Sequence, residues 1–367
     1  MKVSIRSRRG GDDMLVLITG ASGYVGSHTV RAVTADGHRV RALVRRPEKL
    51  RSAMEPLGVD PDHVDVVVGD ATDPTSVQAA VDGVDAVVHT APVYETSARF
   101  HDIIRRTNVA AARLVLAAAL DAGADPVVHV SSIVAVLSGD PGSPITPDSE
   151  PVSGPVPGAY VTSKADSDRL ARTYQQQGAP VVITYPSAVM GPHDPSLGRN
   201  AWMLRQFLRG QMPTAVDVTV PVTDVRDIGR LHAALLEPGL GPRRYLAAGE
   251  MAHFPDLFRA VAAAADRHLP LLALPAPLVE RLTARLDPLN KYLPGRGSGL
   301  DADLGWFLAR LGPWHDQRTR IDFGIEPIPA ETSVVETARW LAEAGHVTRR
   351  QAGALLDRTE VGVVASV

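Results

Sequence analysis

Short apolar runs alternate with amphipathic stretches through the first two thirds of the chain. Met14–Thr19, Arg39–Val44, Val64–Val68, Ala86–His89, Val127–Val130 and Val181–Thr184 are rich in valine and isoleucine and bounded by turn residues, which predicts strands. Most show no polar alternation, as expected of strands buried on both faces of a parallel sheet. Between them, Gly26–Ala35, Thr75–Val81, Thr107–Ala122 and Ala159–Gln177 carry the helical pattern. Strand and helix in regular alternation predict an α/β domain, a doubly wound parallel sheet with helices on both faces.

The pattern changes after Pro186. Gly191–Gly198 is a Gly/Pro-rich loop, followed by a helix over Ala201–Leu208. Val216–Val222 and Arg244–Ala247 are expected to return to the sheet edge. From Met251 the chain reads as mostly helical, through Phe254–Ala265, the Leu/Pro-rich Leu269–Leu293 and a last amphipathic helix over Ser333–Ala344. The division that follows is a nucleotide-binding domain over 14–186, completed by about 213–249. A smaller, mainly helical substrate lobe takes 187–212 and 250–346. Residues 1–13 read as a disordered or upstream-start extension and 347–367 as a tail.

The strand MLVLITG runs into ASGYVGSHTVRAVTADG and places Gly20, Gly23 and Gly26 at three-residue spacing. Glycines here permit a tight turn, close backbone approach to a pyrophosphate and close helix–strand packing. The helix start then offers free N–H groups and positive partial charge to phosphates. A glycine triplet between a strand and a helix predicts a Rossmann-type dinucleotide site. About 20 residues on, an acid would hold the ribose 2′-hydroxyl of NAD. The chain instead reads RALVRRPEKL there, so Arg45 points to NADP(H), whose 2′-phosphate a guanidinium can pair bidentately, with NAD(H) as the lesser fit.

Composition narrows the chemistry. Across 367 residues there are 38 Lys+Arg against 41 Asp+Glu and no cysteine. The near-neutral balance argues against nucleic-acid binding. The missing thiols remove disulfides, thiolate metal sites and cysteine nucleophiles. The apolar stretch Leu269–Val279 is broken by three prolines and falls short of the roughly 20 residues of a membrane span. A cytoplasmic location is expected. Only four of the basic residues are lysine: Lys2, Lys49, Lys164 and Lys291.

Tyr160 and Lys164 lie four apart on an expected helix, so their side chains share a face. A tyrosine with an ordinary pKa of about 10 exchanges its proton poorly near neutrality, and an adjacent ammonium favours the phenolate. Ser131 and Ser132 end the preceding strand, where a hydroxyl can hold a substrate carbonyl.

The motifs together resemble the extended short-chain dehydrogenase/reductase family, within the NAD-dependent epimerase/dehydratase superfamily. The resemblance rests on TGASGYVG (19–26), GDATD (69–73), HTAPV (89–93), Asn108, HVSS (129–132), YVTSK (160–164), PSAVMGP (186–192) and VTDVRDIGRLHAALLE (222–237). It spans roughly 14–346 and leans to the dihydroflavonol-reductase and cinnamoyl-CoA-reductase branch through VRRP, SSIVAV and ETARWLAEAGH. The resemblance implies Ser132, Tyr160 and Lys164 as the catalytic set, with Lys164 also on the cofactor ribose. It further implies cofactor contacts from Gly20, Ser22, Gly23, Tyr24, Val25, Gly26, Asp70, Ala71, Ala91, Pro186 and Val189. A substrate pocket near Tyr94, His193 and Trp202 is implied, as is a homodimer through the helices 107–122 and 159–177.

The expected activity is NADPH-dependent reduction of a small to medium carbonyl compound, or its reverse. Nucleotide-sugar epimerisation or dehydration is an alternative kept open by Arg199, Arg205 and Arg209, which otherwise form a solvated face. Others are 3β-hydroxysteroid-type dehydrogenation, with Leu269–Leu293 as an apolar lid, and non-enzymatic NADP sensing. His89, His129 and His193 have no metal-ligand spacing and read as structural.

Overall fold

The computed structural model describes residues 13–90, 101–156, 159–290 and 302–357. All six expected strands form: β1 (Leu15–Thr19), β2 (Arg39–Val44), β3 (Val64–Val68), β4 (Ala86–His89), β5 (Val127–Val130) and β6 (Val181–Tyr185). Between them run α1 (Tyr24–Ala35), α2 (Pro47–Met54), α3 (Pro74–Val81), α4 (His101–Asp121) and α5 (Ala159–Gln176). Helix α2 lies outside the sequence expectation. Pro47 sits in its first turn, a position where a missing N–H costs nothing.

The remaining chain forms β7 (Ala188–Met190), α6 (Arg199–Leu208), β8 (Thr214–Asp217), β9 (Thr219–Asp224), α7 (Val225–Ala234) and β10 (Arg243–Leu246). It continues as β11 (Glu250–His253), α8 (Phe254–Ala264), β12 (Leu272–Pro275), α9 (Ala276–Asn290), α10 (Ala302–Leu308), α11 (Gln317–Phe323), α12 (Ala330–Glu343) and α13 (Arg349–Ala352).

Seven strands make one parallel sheet in the order β10-β6-β5-β4-β1-β2-β3. Successive residues of each strand enter opposite layers. Leu17, Val87, Val127 and Ile183 pack with residues of α3, α4 and α5, while Val16, Ile18, Val88 and Val128 pack with residues of α1, α2 and α7. Burial on both faces accounts for the unbroken apolar runs. The strand order reverses between β1 and β4, so a crevice opens beyond their carboxyl ends, where ligands bind in such sheets.

Two expectations are corrected. The run 216–222 does not join the main sheet. Its chain breaks at Val218, whose carbonyl accepts the Phe254 amide at 2.9 Å. β8 therefore pairs with β12, and β9 pairs with β7 and β11. Only α7 and β10 complete the parallel sheet. The tail expected from 347 is also folded as far as 357: Val347, Ala352 and Leu355 are buried in the second core, and Thr348 closes a capping box with Gln351. Asp13, assigned to the amino-terminal extension, pairs with Arg39 at 3.1 Å, while residues 1–12 lie outside the described part.

Helix α5 is braced by a buried charge network. Arg172 on α5 donates to Asp168 at 2.8 Å, to the Tyr185 hydroxyl at 3.0 Å and to the Ser149 carbonyl at 2.7 Å. Removing one partner of a buried pair strands the other. Asp168→Ala is expected to destabilise the protein by about 3 kcal/mol, seen as a lower urea midpoint with an unchanged slope.

Candidate active site

The crevice floor is the turn after β1. Gly20 has φ +73°, in the left-handed region, and its carbonyl accepts the Gly23 amide at 2.9 Å. A Cβ on Gly26 would stand 2.1 Å from the Gly20 oxygen, so only glycine lets α1 start this close to the strand. Gly23 caps α1 without a side-chain hydrogen bond, leaving the first-turn amides of Tyr24, Val25 and Gly26 without a side-chain cap. Such a cradle fits a pyrophosphate. Ser22 lies half-buried in the same turn.

Tyr24 contributes its backbone there and spends its hydroxyl elsewhere, donating to the Gly191 carbonyl at 2.6 Å. Burial and the carboxylates of Asp194 and Asp224 push that phenol well above its usual pKa, so it stays a donor. Thr90 Oγ1 donates to the Thr19 carbonyl at 2.8 Å, fastening the ends of β1 and β4 together.

Further along the crevice, Asp70 accepts from Thr72 through one oxygen only, from its amide at 2.9 Å and its hydroxyl at 2.8 Å. Ala71 is half-buried beside it. Arg45, immediately after β2, is solvent-exposed, and neither it nor Arg46 makes an ion pair among the described residues. Pro186, at the end of β6, accepts the Ile133 amide at 3.1 Å, and the Val189 carbonyl accepts from Asn200 at 2.9 Å. Ala91 and Tyr94 lie outside the described residues.

The chemistry is set around the end of β5. Lys164 Nζ donates to the carbonyls of Val130 at 3.2 Å and Ser131 at 3.1 Å, and the residue is only 5% exposed. Burial pushes its pKa down to about 8, with Asp168 one turn on pulling the other way. Tyr160 is half-buried, packs against the cluster containing Ile133 and Val134, and shares the Lys164 face one turn earlier. Ser132 is in extended backbone at the start of the Ile133–Val136 turn, and its hydroxyl accepts from the Val134 amide at a long 3.4 Å. That weak bond leaves the hydroxyl able to turn toward a substrate oxygen. Asn108 of α4 reaches Ser163 of α5 at 3.5 Å, within the same buried layer.

His89 and His129 stack at 5.7 Å beneath this site. Burial holds the His89 pKa at about 3 and pushes His129 well below its usual value. Both stay neutral, so no second cation competes with Lys164.

The remaining expected site residues fall in the 191–198 loop and the second lobe. His193 has φ +63° and packs edge-on to Trp340 at 6.2 Å, with Arg31, Arg226 and Glu343 as its charged neighbours. These belong to α1, α7 and α12, not to the Ser132–Tyr160 group. Trp202 packs on the second core. Arg205 and Arg209 both donate to the His346 carbonyl at 3.1 Å, each through one of its nitrogens. Sequence reasoning missed the Asp303 carboxylate, which accepts the Tyr160 amide at 3.3 Å. Its signal was unreadable because 143 residues separate the partners.

A glycine cradle at the strand-order reversal and a buried lysine one turn after a tyrosine define a nucleotide-dependent oxidoreductase. The chain belongs to the NAD-dependent epimerase/dehydratase family, whose model matches residues 16–248. It is 28% identical to sterol demethylase protein B of Methylococcus capsulatus, over 91% of this chain and 100% of that one. It is 33% identical to a putative dihydroflavonol 4-reductase of Synechocystis, over 60% of this chain and 63% of that one. The crystal structure of gox2253 superposes with a TM-score of 0.74 at 27% identity, covering 92% of this chain and 100% of that one.

Lys164 makes stability depend on pH in a definite direction. An unfolded chain returns it to an ordinary pKa of about 10.4, so the folded state disfavours the ammonium. The penalty is fully present below about pH 8 and is relieved as pH rises from there toward about 10, worth roughly 3 kcal/mol. Lys164→Met should remove that rise. Urea unfolding of both proteins at low and high ends of the window checks it; a difference independent of pH would contradict it.

Proposed function

We propose that the chain is a reductase, or an alcohol dehydrogenase in reverse, moving a hydride between NADP(H) and a small to medium carbonyl or hydroxy compound. The observation that carries this reading is the Lys164 ammonium, fixed on the Val130 and Ser131 carbonyls one helical turn from Tyr160. The nicotinamide, when bound, supplies or takes up the hydride. Ser132 donates a hydrogen bond to the carbonyl oxygen, and Tyr160 delivers the proton to that oxygen. Lys164 favours the phenolate that results. The Gly20–Gly26 cradle holds the pyrophosphate. The exposed guanidinium of Arg45 is assigned to the 2′-phosphate, which makes NADP(H) the preferred cofactor.

A second reading is favoured by the apolar surface of the second lobe. Leu272 is 61% exposed and Leu278 and Leu282 are each 44% exposed, along the segment expected to face an apolar substrate. The relative named sterol demethylase protein B points the same way. On this reading the substrate is a bulky 3β-hydroxysteroid-type alcohol handled by the same three residues. The nucleotide-sugar alternative draws on Arg205 and Arg209, each of which gives one donor to the His346 carbonyl and keeps its charge.

Tyr160→Phe should lower kcat across a panel of aldehydes, ketones and hydroxysteroids by about 10²–10⁴-fold, with NADPH affinity within about twofold. Unchanged turnover would refute the mechanism, and the substrate that turns over decides between the two readings. Arg45→Asp should move the kcat/KM preference toward NADH by at least about tenfold; no movement would place the 2′-phosphate elsewhere.

A further inference from the structure

The geometry points to Asp303 as a positioning residue for Tyr160, supplied by the appended lobe and resting on the reductase reading. Helix α5 runs from Ala159, which puts the Tyr160 amide in its first turn, where N–H groups take acceptors from outside the helix. Asp303, on α10 and 8% exposed, accepts that N–H at 3.3 Å. A carboxylate there also complements the positive end of the helix.

The strut carrying Asp303 is held at several points. Trp306 is buried in the first core, and Leu304 and Leu308 in the second, so α10 straddles the two. Arg310 stacks over the Trp306 ring at 4.5 Å and pairs with Glu280 of α9 at 2.7 Å. Just beyond, the Ile145 amide donates to Pro313 at 2.8 Å and the His315 amide to Ile145 at 3.1 Å, stitching the strut to the first domain.

Two anchors then bracket the catalytic face of α5. Lys164 is fixed one turn in, on the carbonyls of Val130 and Ser131. The turn bearing Tyr160 lies at the helix end, where fraying is least costly. Asp303 fixes that end, so the phenol stays aligned with Ser132 and the bound substrate. A displacement of about 1 Å in a reacting group costs on the order of 10²-fold in rate. In this role Asp303 meets the Tyr160 backbone amide and acts through it.

Asp303→Ala and Asp303→Asn separate this role from general scaffolding. The alanine variant should lose kcat by about 10–100-fold with KM for NADPH within about twofold, since the cradle is untouched. The asparagine variant keeps an acceptor oxygen and should return kcat to within about threefold of the parent. Hydrogen exchange at the Tyr160 amide, measured without substrate, should accelerate in the alanine variant and stay slow in the asparagine variant. Parental kcat and unchanged Tyr160 protection in the alanine variant would overturn the assignment. So would an equal loss in both variants accompanied by equal losses in Tm. Absence of turnover by the parent on every carbonyl counts against the reductase reading alone, because the exchange measurement decides the Asp303 contact without substrate.

Discussion

An ammonium buried at the end of a parallel strand constrains nearly everything around the site. Lys164 can stay in the interior because two carbonyls, of Val130 and Ser131, point at it. They can do so only if β5 stops there and α5 crosses the strand end closely. Small residues allow that approach: Ala111 and Ala112 on α4, and Ala165 and Ala171 on α5, are all buried. The neutral state of His89 and His129 is part of the same arrangement, since a charged imidazole beside the ammonium would add repulsion in a poorly screened place. Asp168 supplies the opposing attraction, and Arg172 in turn keeps that carboxylate from standing alone. Burial lowers the lysine pKa to about 8, against the pull of Asp168.

The second constraint is the seam joining the phosphate cradle to the appended lobe. Tyr24, in the first turn of α1, donates to the Gly191 carbonyl at 2.6 Å, while the Gly191 amide donates to Thr337 of α12 at 2.7 Å. His28 meets the Pro192 carbonyl at 3.2 Å, one turn along α1. Asp224 closes the seam by accepting from Ser333 at 2.7 Å, and Arg226 links it to Glu336 at 2.6 Å. Gly191 has φ +129°, and a Cβ there would press on Val225 at 2.8 Å. The helix that opens at the glycine cradle and the helix that closes the second lobe are therefore tied through one glycine.

The first domain was legible because its signals are local. Uninterrupted valine runs fix strands, the glycine spacing fixes the cradle, and the Tyr160–Lys164 interval fixes two functional groups on one helix face. Even so, α2 was overlooked, since its burial rests on Leu50, Ala53 and Met54 meeting α1 and not on a long periodic stripe. The second lobe was poorly legible for a physical reason: its elements take partners from distant segments. The run 216–222 looks like one strand, but Val218 faces the start of α8 and divides it between two small sheets. His193, implied as a pocket residue by its place after PSAVMGP, packs edge-on to Trp340, a partner far along the chain that its local sequence does not announce. Arg205 and Arg209 had the spacing of an anion site, and only the folded chain shows the His346 carbonyl between them.

The division of labour between the two cations follows from their shapes. Arginine, the basic residue this chain uses almost exclusively, serves as a multi-acceptor brace: Arg172 reaches a carboxylate, a phenol and a carbonyl, and Arg267 joins the carbonyls of Leu208 and Gln351, each at 2.5 Å. A planar fork suits that task because its donors diverge and its charge is spread. The position of Lys164 asks for the opposite. The space before two adjacent carbonyls admits a compact head that can turn its three donors, and the proposed chemistry calls for a charge concentrated enough to stabilise a phenolate. A guanidinium at this position would have to displace the β5 end or leave donors unpaired in a buried layer, which the sheet packing opposes. Scarcity of lysine in the sequence thus has a physical counterpart in the fold, where the ammonium stands at the place a fork cannot fill.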